Sequence, residues 1–204
     1  MMETMRIADI QSHIDHELVS KERIEELINR TAERISRDYR DKNPIMLAVL
    51  KGAFNTLAAL SQAVTIPVQI EFMSISSYPG RKTSASEGDL DIRMDLDCDV
   101  RGRHILIVED IIDSGYTLHW LVEHLKERGA ASVEIFTLLD KTSRHEVEVD
   151  VKYPGFAIPD EFVVGFGLDY DEQYRNLDSI AVLRSEEYMD PTQEQDHQDQ
   201  GEQS

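Results

Sequence analysis

His104-Ile-Leu-Ile-Val-Glu-Asp-Ile-Ile-Asp-Ser-Gly-Tyr-Thr117 is the stretch on which the fold turns. Its four aliphatic residues, Ile105 to Val108, read as a buried central strand of a parallel sheet. Two acids, Glu109 and Asp110, follow where the chain should leave the core. Asp113 to Thr117 then turns into a helix whose apolar positions are Leu118, Leu121, Val122 and Leu125. Open α/β sheets bind ligands at the carboxyl ends of their strands. A turn with Gly115, the hydroxyls of Ser114 and Thr117, and free amides at a helix N-terminus suits a phosphate. Acids beside such a cradle point to a ligand carrying phosphate, hydroxyls and magnesium. A plainer alternative is that Asp113 or Ser114 only caps the helix.

Working outward, alternating strands and helices imply a parallel sheet with right-handed crossovers. Ser20 to Tyr39 carries Ile24, Leu27, Ile28, Ile35 and Tyr39 on one helical stripe, with Ser20 at its N-cap. Ile45 to Leu50 is an apolar strand, and a helix is expected from Ala53 to Ala63. Further strands are expected at Val68 to Ile75, Asp91 to Leu96, Val133 to Leu139, Phe162 to Phe166 and Ile180 to Leu183. Residues 76–90 read as a long lid loop, and Gly129 as a helix stop. Tyr153 to Asp160, with two prolines, reads as a link. The expected organisation is one domain over residues 1–184, with 185–204 an acidic, Gln-rich, disordered tail.

The 204 residues are 41% hydrophobic and 30% charged, as in a water-soluble globular chain. A formal charge of -19 argues against a nucleic-acid surface. The longest apolar run, Ile45 to Leu50, is too short for a membrane span, and Met1 to Gln11 has no secretory pattern. One cysteine, Cys98, fits a reducing cytoplasm and lies among acids that disfavour a thiolate. The histidines show no zinc-ligand spacing. Binding an anion with so acidic a chain requires locally focused cations, for which Lys51, Arg81, Lys82, Lys141 and Arg175 are candidates.

The motif Glu-Asp-x-x-Asp-Ser-Gly-x-Thr resembles the site that phosphoribosyltransferases use for 5-phosphoribosyl 1-diphosphate (PRPP). Five further segments occur in the order seen in that family: Leu50 to Ala53, Ser76 to Tyr78, Leu139 to Lys141, Ile158 to Gly165 and Gly167 to Leu177. Together they resemble the bacterial hypoxanthine-guanine phosphoribosyltransferases over roughly Ile45 to Leu183. The fold this implies is α/β, the type I phosphoribosyltransferase fold: a central, mainly parallel sheet flanked by helices, with a small hood and a lid. The implied reaction is purine salvage, in which PRPP and hypoxanthine or guanine give IMP or GMP and pyrophosphate.

The resemblance also implies roles. Glu109 and Asp110 hold the ribose hydroxyls, and Ser114, Gly115, Tyr116 and Thr117 the 5′-phosphate. Asp113 is the catalytic residue at purine N7. Lys141 donates to O6, Phe162 stacks on the base, and the Val163 backbone meets the edge bearing the 2-substituent. Lys51 and Gly52 match the pyrophosphate loop, which in this family carries a non-proline cis peptide, and Arg175 is a second pyrophosphate contact. Asp169, with Glu109 and Asp110, serves Mg2+, and Ser77 and Tyr78 belong to the lid. A homodimer or homotetramer in the cytoplasm is implied. The ranking of hypoxanthine, guanine and xanthine stays open, because the 2-position is read mainly by backbone. A regulator on the same fold, binding RNA or DNA, would need a basic face, which the charge opposes; retention of Asp113, Lys141, Phe162 and Asp169 favours the enzyme.

Overall fold

The computed structural model describes residues 5–77 and 90–188. Two sheets organise them. The larger has six strands: β2 (Ile45–Leu50), β3 (Gln69–Ser77), β4 (Leu90–Met94), β5 (His104–Ile112), β6 (Ser132–Asp140) and β7 (Tyr153–Ala157). Their order is β4-β3-β2-β5-β6-β7, with only β4 antiparallel to its neighbour. The smaller sheet joins β1 (Ile14–Val19), β9 (Ile180–Leu183) and β8 (Val163–Val164), all antiparallel. This is the expected α/β architecture with its hood.

The motif strand lies at the centre because both of its faces are apolar. Leu106 and Val108 of β5, with Met46 and Ala48 of β2, face α1 (Lys21–Asp38) and α2 (Phe54–Ala63). Ile105 and Ile107, with Ile45 and Leu47, face α3 (Tyr116–Glu127). The stripe expected on the first helix is buried as read: Ile24, Leu27, Ile28, Ile35 and Tyr39 are all at most 4% exposed. Ser20 holds the N-cap position, but its hydroxyl makes no cap bond to the backbone. Gly129, at φ 87°, closes α3: its amide bonds to Lys126 O, and the next amide bonds to Leu125 O.

From β2 the chain crosses through α2 to β3 on one side; from β5 it crosses through α3 to β6 on the other. The strand order therefore reverses between β2 and β5, and a crevice opens at their carboxyl ends.

Several boundaries differ from the sequence reading. Tyr153 to Ala157 is a strand rather than a link. Pro154 is tolerated because β7 pairs only with β6, at the sheet edge. A Cβ at Gly155 would overlap the Thr137 and Leu138 carbonyls, so the glycine permits this close pairing. The strand expected from Phe162 to Phe166 shrinks to Val163–Val164, since Gly165 and Phe166 both take positive φ, at 101° and 48°. β1 was not read as a strand: Asp15, His16 and Glu17 are exposed, and only its end residues Ile14 and Val19 are buried.

Ser76 and Ser77, expected in the lid, continue β3, and Ser77 pairs with Leu90; Tyr78 lies outside the described residues. The tail expected from Ser185 begins instead with a helical turn, α4 (Ser185–Tyr188). The ring of Tyr188 packs against the hood core. No helix among the described residues is long and apolar enough to cross a membrane.

Candidate active site

Five segments meet at the crevice. At the end of β5, Asp110 is only 7% exposed and its Oδ1 accepts the Ile111 amide at 2.9 Å. Beside it, Glu109 Oε2 is buried with no hydrogen-bond partner. Burial pushes the Glu109 carboxyl well above the usual carboxylate range, and the neighbouring Asp110 charge adds to the shift. Burial raises Asp110 as well, against the pull of the Ile111 amide and of Glu109. Two acids with an orphaned oxygen make a strong acceptor for paired hydroxyls.

Beyond them the chain turns at Gly115, φ 87°, into α3. Gly115 itself is the N-cap, and no side chain caps the helix. The capping alternative for Asp113 and Ser114 is thereby excluded, and the amides at the start of α3 are not taken by a side-chain cap. The turn is braced from outside: the Ser114 carbonyl accepts the amides of Glu146 and Val147 at 3.0 and 3.3 Å. Such an N-terminus favours a phosphate.

Asp113 extends from this turn with its side chain half-exposed. Lys141, directly after β6, is 7% exposed, and its Nζ stands 3.5 Å from Asp113 Oδ1 and 3.5 Å from Asp160 Oδ1. The parallel register that pairs Ile112 with Asp140 delivers the two residues side by side. Arg144 holds Asp160 from the other side at 3.3 Å.

On the β2 side, the Leu50–Lys51 peptide is cis. A Cβ at Gly52 would collide with the Asp110 carboxylate, and one at Gly167 with the Gly52 carbonyl. Gly52 is thus wedged between the β5 acids and the loop before Asp169. Arg175 donates from Nη1 to the Gly167 carbonyl at 2.8 Å and pairs through Nη2 with Asp169 Oδ1 at 2.8 Å. Its positive charge also reaches Asp110, whose carboxyl it favours as the anion. Glu172 bridges Lys51 at 2.9 Å and Arg175 at 3.4 Å.

Phe162 belongs to the hood core. Tyr188 stacks on one of its faces, with centroids 4.9 Å apart and planes at 23°, and Tyr170 meets it edge-on at 5.6 Å. Tyr170 ties the clamp together by donating its hydroxyl to the Glu187 carbonyl at 2.7 Å. Phe162 remains only partly buried. Val163 lies in β8, opposite Val182.

The described residues contain no cluster of three or more His, Cys, Asp or Glu arranged as a metal cage. The oxygen donors Glu109, Asp110 and Asp169 suit magnesium, which usually takes one or two carboxylates and completes its shell from substrate phosphate and water. Glu172, Asp160 and Tyr188 were not singled out from sequence. Each acts through another residue, so only its neighbours in space mark it.

The comparisons with known proteins agree with this geometry. The profile of the family described as "Phosphoribosyl transferase domain" matches residues 16–171. A hypoxanthine-guanine phosphoribosyltransferase of Streptococcus pneumoniae is 45% identical over 179 residues, covering 88% of this chain and 98% of that protein. One from Bacillus subtilis is 44% identical over 175 residues, covering 86% and 96%. Among solved structures, a hypoxanthine phosphoribosyltransferase from Staphylococcus aureus superposes with a TM-score of 0.85 at 36% identity, covering 89% of this chain and 98% of that one. Similarity of this extent has one meaning: the chain belongs to the phosphoribosyltransferase family.

Proposed function

We propose that this chain transfers the 5-phosphoribosyl group of PRPP to N9 of hypoxanthine and guanine, releasing pyrophosphate and forming IMP and GMP. The observation that carries the reading is the Asp113–Lys141 pair, 3.5 Å apart, beside the uncapped N-terminus of α3. On a 6-oxopurine, N7 and O6 lie on the same edge. One acceptor and one donor held side by side match that edge; the 6-amino group of adenine would meet Lys141 donor to donor.

In the reaction the bond from ribose C1 to the diphosphate oxygen breaks and a bond from C1 to N9 forms. Cationic character on C1 and negative charge on the leaving group must be stabilised together by fixed charges. Glu109 and Asp110 accept from the ribose hydroxyls and lie on the cationic side. Ser114 to Thr117 hold the 5′-phosphate through amides and hydroxyls. Lys51, Gly52 and Arg175 receive the diphosphate. Asp113 takes the N7 proton as N9 bonds to C1, while Phe162 and the Val163 backbone fix the plane of the base. Magnesium, when bound near Asp169, Glu109 and Asp110, supplies charge neutralisation to the diphosphate. Ser77 and Tyr78 belong to a lid that excludes water, which would otherwise hydrolyse PRPP.

The exposed Ile70 and Phe72 of β3 and the neighbouring Met94 of β4 form an apolar edge that supports a homodimer or homotetramer. A cytoplasmic location follows from the proposed reaction, whose substrates are cytoplasmic metabolites.

The test is to incubate the protein with PRPP, magnesium and each of hypoxanthine, guanine, xanthine and adenine, resolving the nucleotides by chromatography. Turnover of hypoxanthine and guanine with adenine inert is the expected result. PRPP binding without turnover of any base would overturn the catalytic reading in favour of a PRPP-binding regulator.

A further inference from the structure

Glu172 occupies a place that the reaction just proposed leaves unexplained. It is a carboxylate set between the two cations assigned to the diphosphate, 2.9 Å from Lys51 Nζ and 3.4 Å from Arg175 Nη2. Its backbone is held there against local preference. Asp171, Glu172 and Tyr174 all take positive φ, at 49°, 61° and 71°, and none is glycine. Such conformations persist where the surroundings impose them and gather at functional sites. The imposing contacts are visible. The Glu172 amide donates to Asp169 Oδ2 at 2.9 Å, and Tyr170 and Gln173 exchange backbone hydrogen bonds at 3.3 and 3.0 Å. The turn thus delivers one anion to Lys51 and Arg175 while leaving Asp169 Oδ1 on Arg175.

Resting on that assignment of the site, we propose that Glu172 is an internal competitor for the pyrophosphate subsite. It neutralises Lys51 and Arg175 when the subsite is free, gives way as the diphosphate of PRPP arrives, and returns as pyrophosphate leaves. Glu172 is a positioning residue, because it acts through the two cations and touches no reacting atom. A diphosphate carries far more charge than one carboxylate and wins the exchange. The carboxylate lowers affinity for substrate diphosphate and for product pyrophosphate alike, which shortens product residence on a site whose cations would otherwise hold a polyanion tightly. Lys51 and Glu172 are both largely exposed, 65% and 64% at the side chain, so the competition is worth a small factor.

The test measures pyrophosphate binding by calorimetry, with and without magnesium, for the wild type, Glu172→Gln, Glu172→Ala and a charge control, Glu33→Gln, on the exposed side of α1. Steady-state kinetics on the same four proteins follow. Competition predicts that Glu172→Gln and Glu172→Ala bind pyrophosphate about two- to fivefold more tightly. KM for PRPP falls in parallel, the KM for hypoxanthine holds, and Glu33→Gln matches the wild type. Unchanged or weaker pyrophosphate binding in both Glu172 variants overturns the inference and makes Glu172 a brace for the two cations. Equal tightening in Glu33→Gln also overturns it, as an effect of net charge alone. A wild type that binds neither PRPP nor pyrophosphate is a separate result, which removes the site assignment itself.

Discussion

Lys141 Nζ stands 3.5 Å from one oxygen of Asp113 and the same distance from one of Asp160, so a nearly buried ammonium is shared by two carboxylates. The arrangement aims Lys141 without committing it to Asp113 alone. Asp113→Asn keeps the shape and removes the acceptor. Turnover of hypoxanthine should fall about 10²–10⁴-fold, the range of a positioned general base, with KM for PRPP little changed. An equal loss in KM for PRPP would mean that the turn before α3 had been disturbed.

Lys141→Gln addresses specificity in the same pair. A buried donor to O6 discriminates because the wrong base leaves polar groups unpaired. The preference for hypoxanthine over adenine should shrink by about 10²-fold or more, mostly through loss on hypoxanthine. The check is the ratio of kcat/KM values, together with a melting curve, since Asp113 and Asp160 lose their shared cation.

Glu109 and Asp110 give a pH signature. The Glu109 carboxyl sits well above its ordinary value of 4.5 because burial and the Asp110 charge disfavour ionisation. The folded protein therefore holds more protons than the unfolded chain above pH 4.5, up to the raised folded value. This contribution to stability is complete below the unfolded pKa and is lost as pH rises through the folded one. Without PRPP, Glu109→Gln should be more stable than wild type at pH 8. The difference should vanish near pH 4, and PRPP affinity should drop sharply. Denaturant titrations across pH 4 to 8 decide it; parallel curves would show that Glu109 is not raised.

Gly52 tests how tightly the subsites are joined. A Cβ there meets the Asp110 carboxylate, so Gly52→Ala must displace either the diphosphate loop or the ribose acids. Misplacement on the ångström scale costs about 10²-fold in rate, and overpacking costs about 1–3 kcal/mol. Gly102→Asn is the control: its φ is also positive, at 70°, but nothing lies within 4 Å, and activity should hold. Kinetics and melting temperatures of both variants are the measurement.

These residues also mark where the sequence was legible. β5, its acids and the turn into α3 could be read because a doubly buried strand is apolar throughout and a phosphate turn needs Gly115. The prolines of Tyr153 to Asp160 misled because Pro154 is permitted at an edge strand, and being an edge is a property of the assembled sheet. β1 was hidden because its middle faces solvent. Glu172 and Tyr188 look like surface residues in sequence; a bridge across 121 residues to Lys51, or a stack on Phe162, exists only once the hood is folded.

Tyr188 supports the last prediction. Phe162 is clamped by Tyr188 on one face and by the Tyr170 edge, and the Tyr170 hydroxyl fixes α4 through the Glu187 carbonyl. An aromatic pair of this kind contributes about 0.5–1.5 kcal/mol beyond its buried area. Losing it frees Phe162 to turn away from the base, so Tyr188→Ala should raise KM for hypoxanthine and guanine about two- to tenfold. KM for PRPP, whose proposed ribose and 5′-phosphate contacts come from the end of β5 and the turn into α3, should stay put. Two truncations separate the stack from the acidic segment after it. Removing residues 189–204 should leave purine KM unchanged, whereas removing 185–204 should reproduce Tyr188→Ala or exceed it. If the shorter truncation alone weakened purine binding, the contribution would belong to residues beyond Tyr188, and the clamp would not be what orients Phe162.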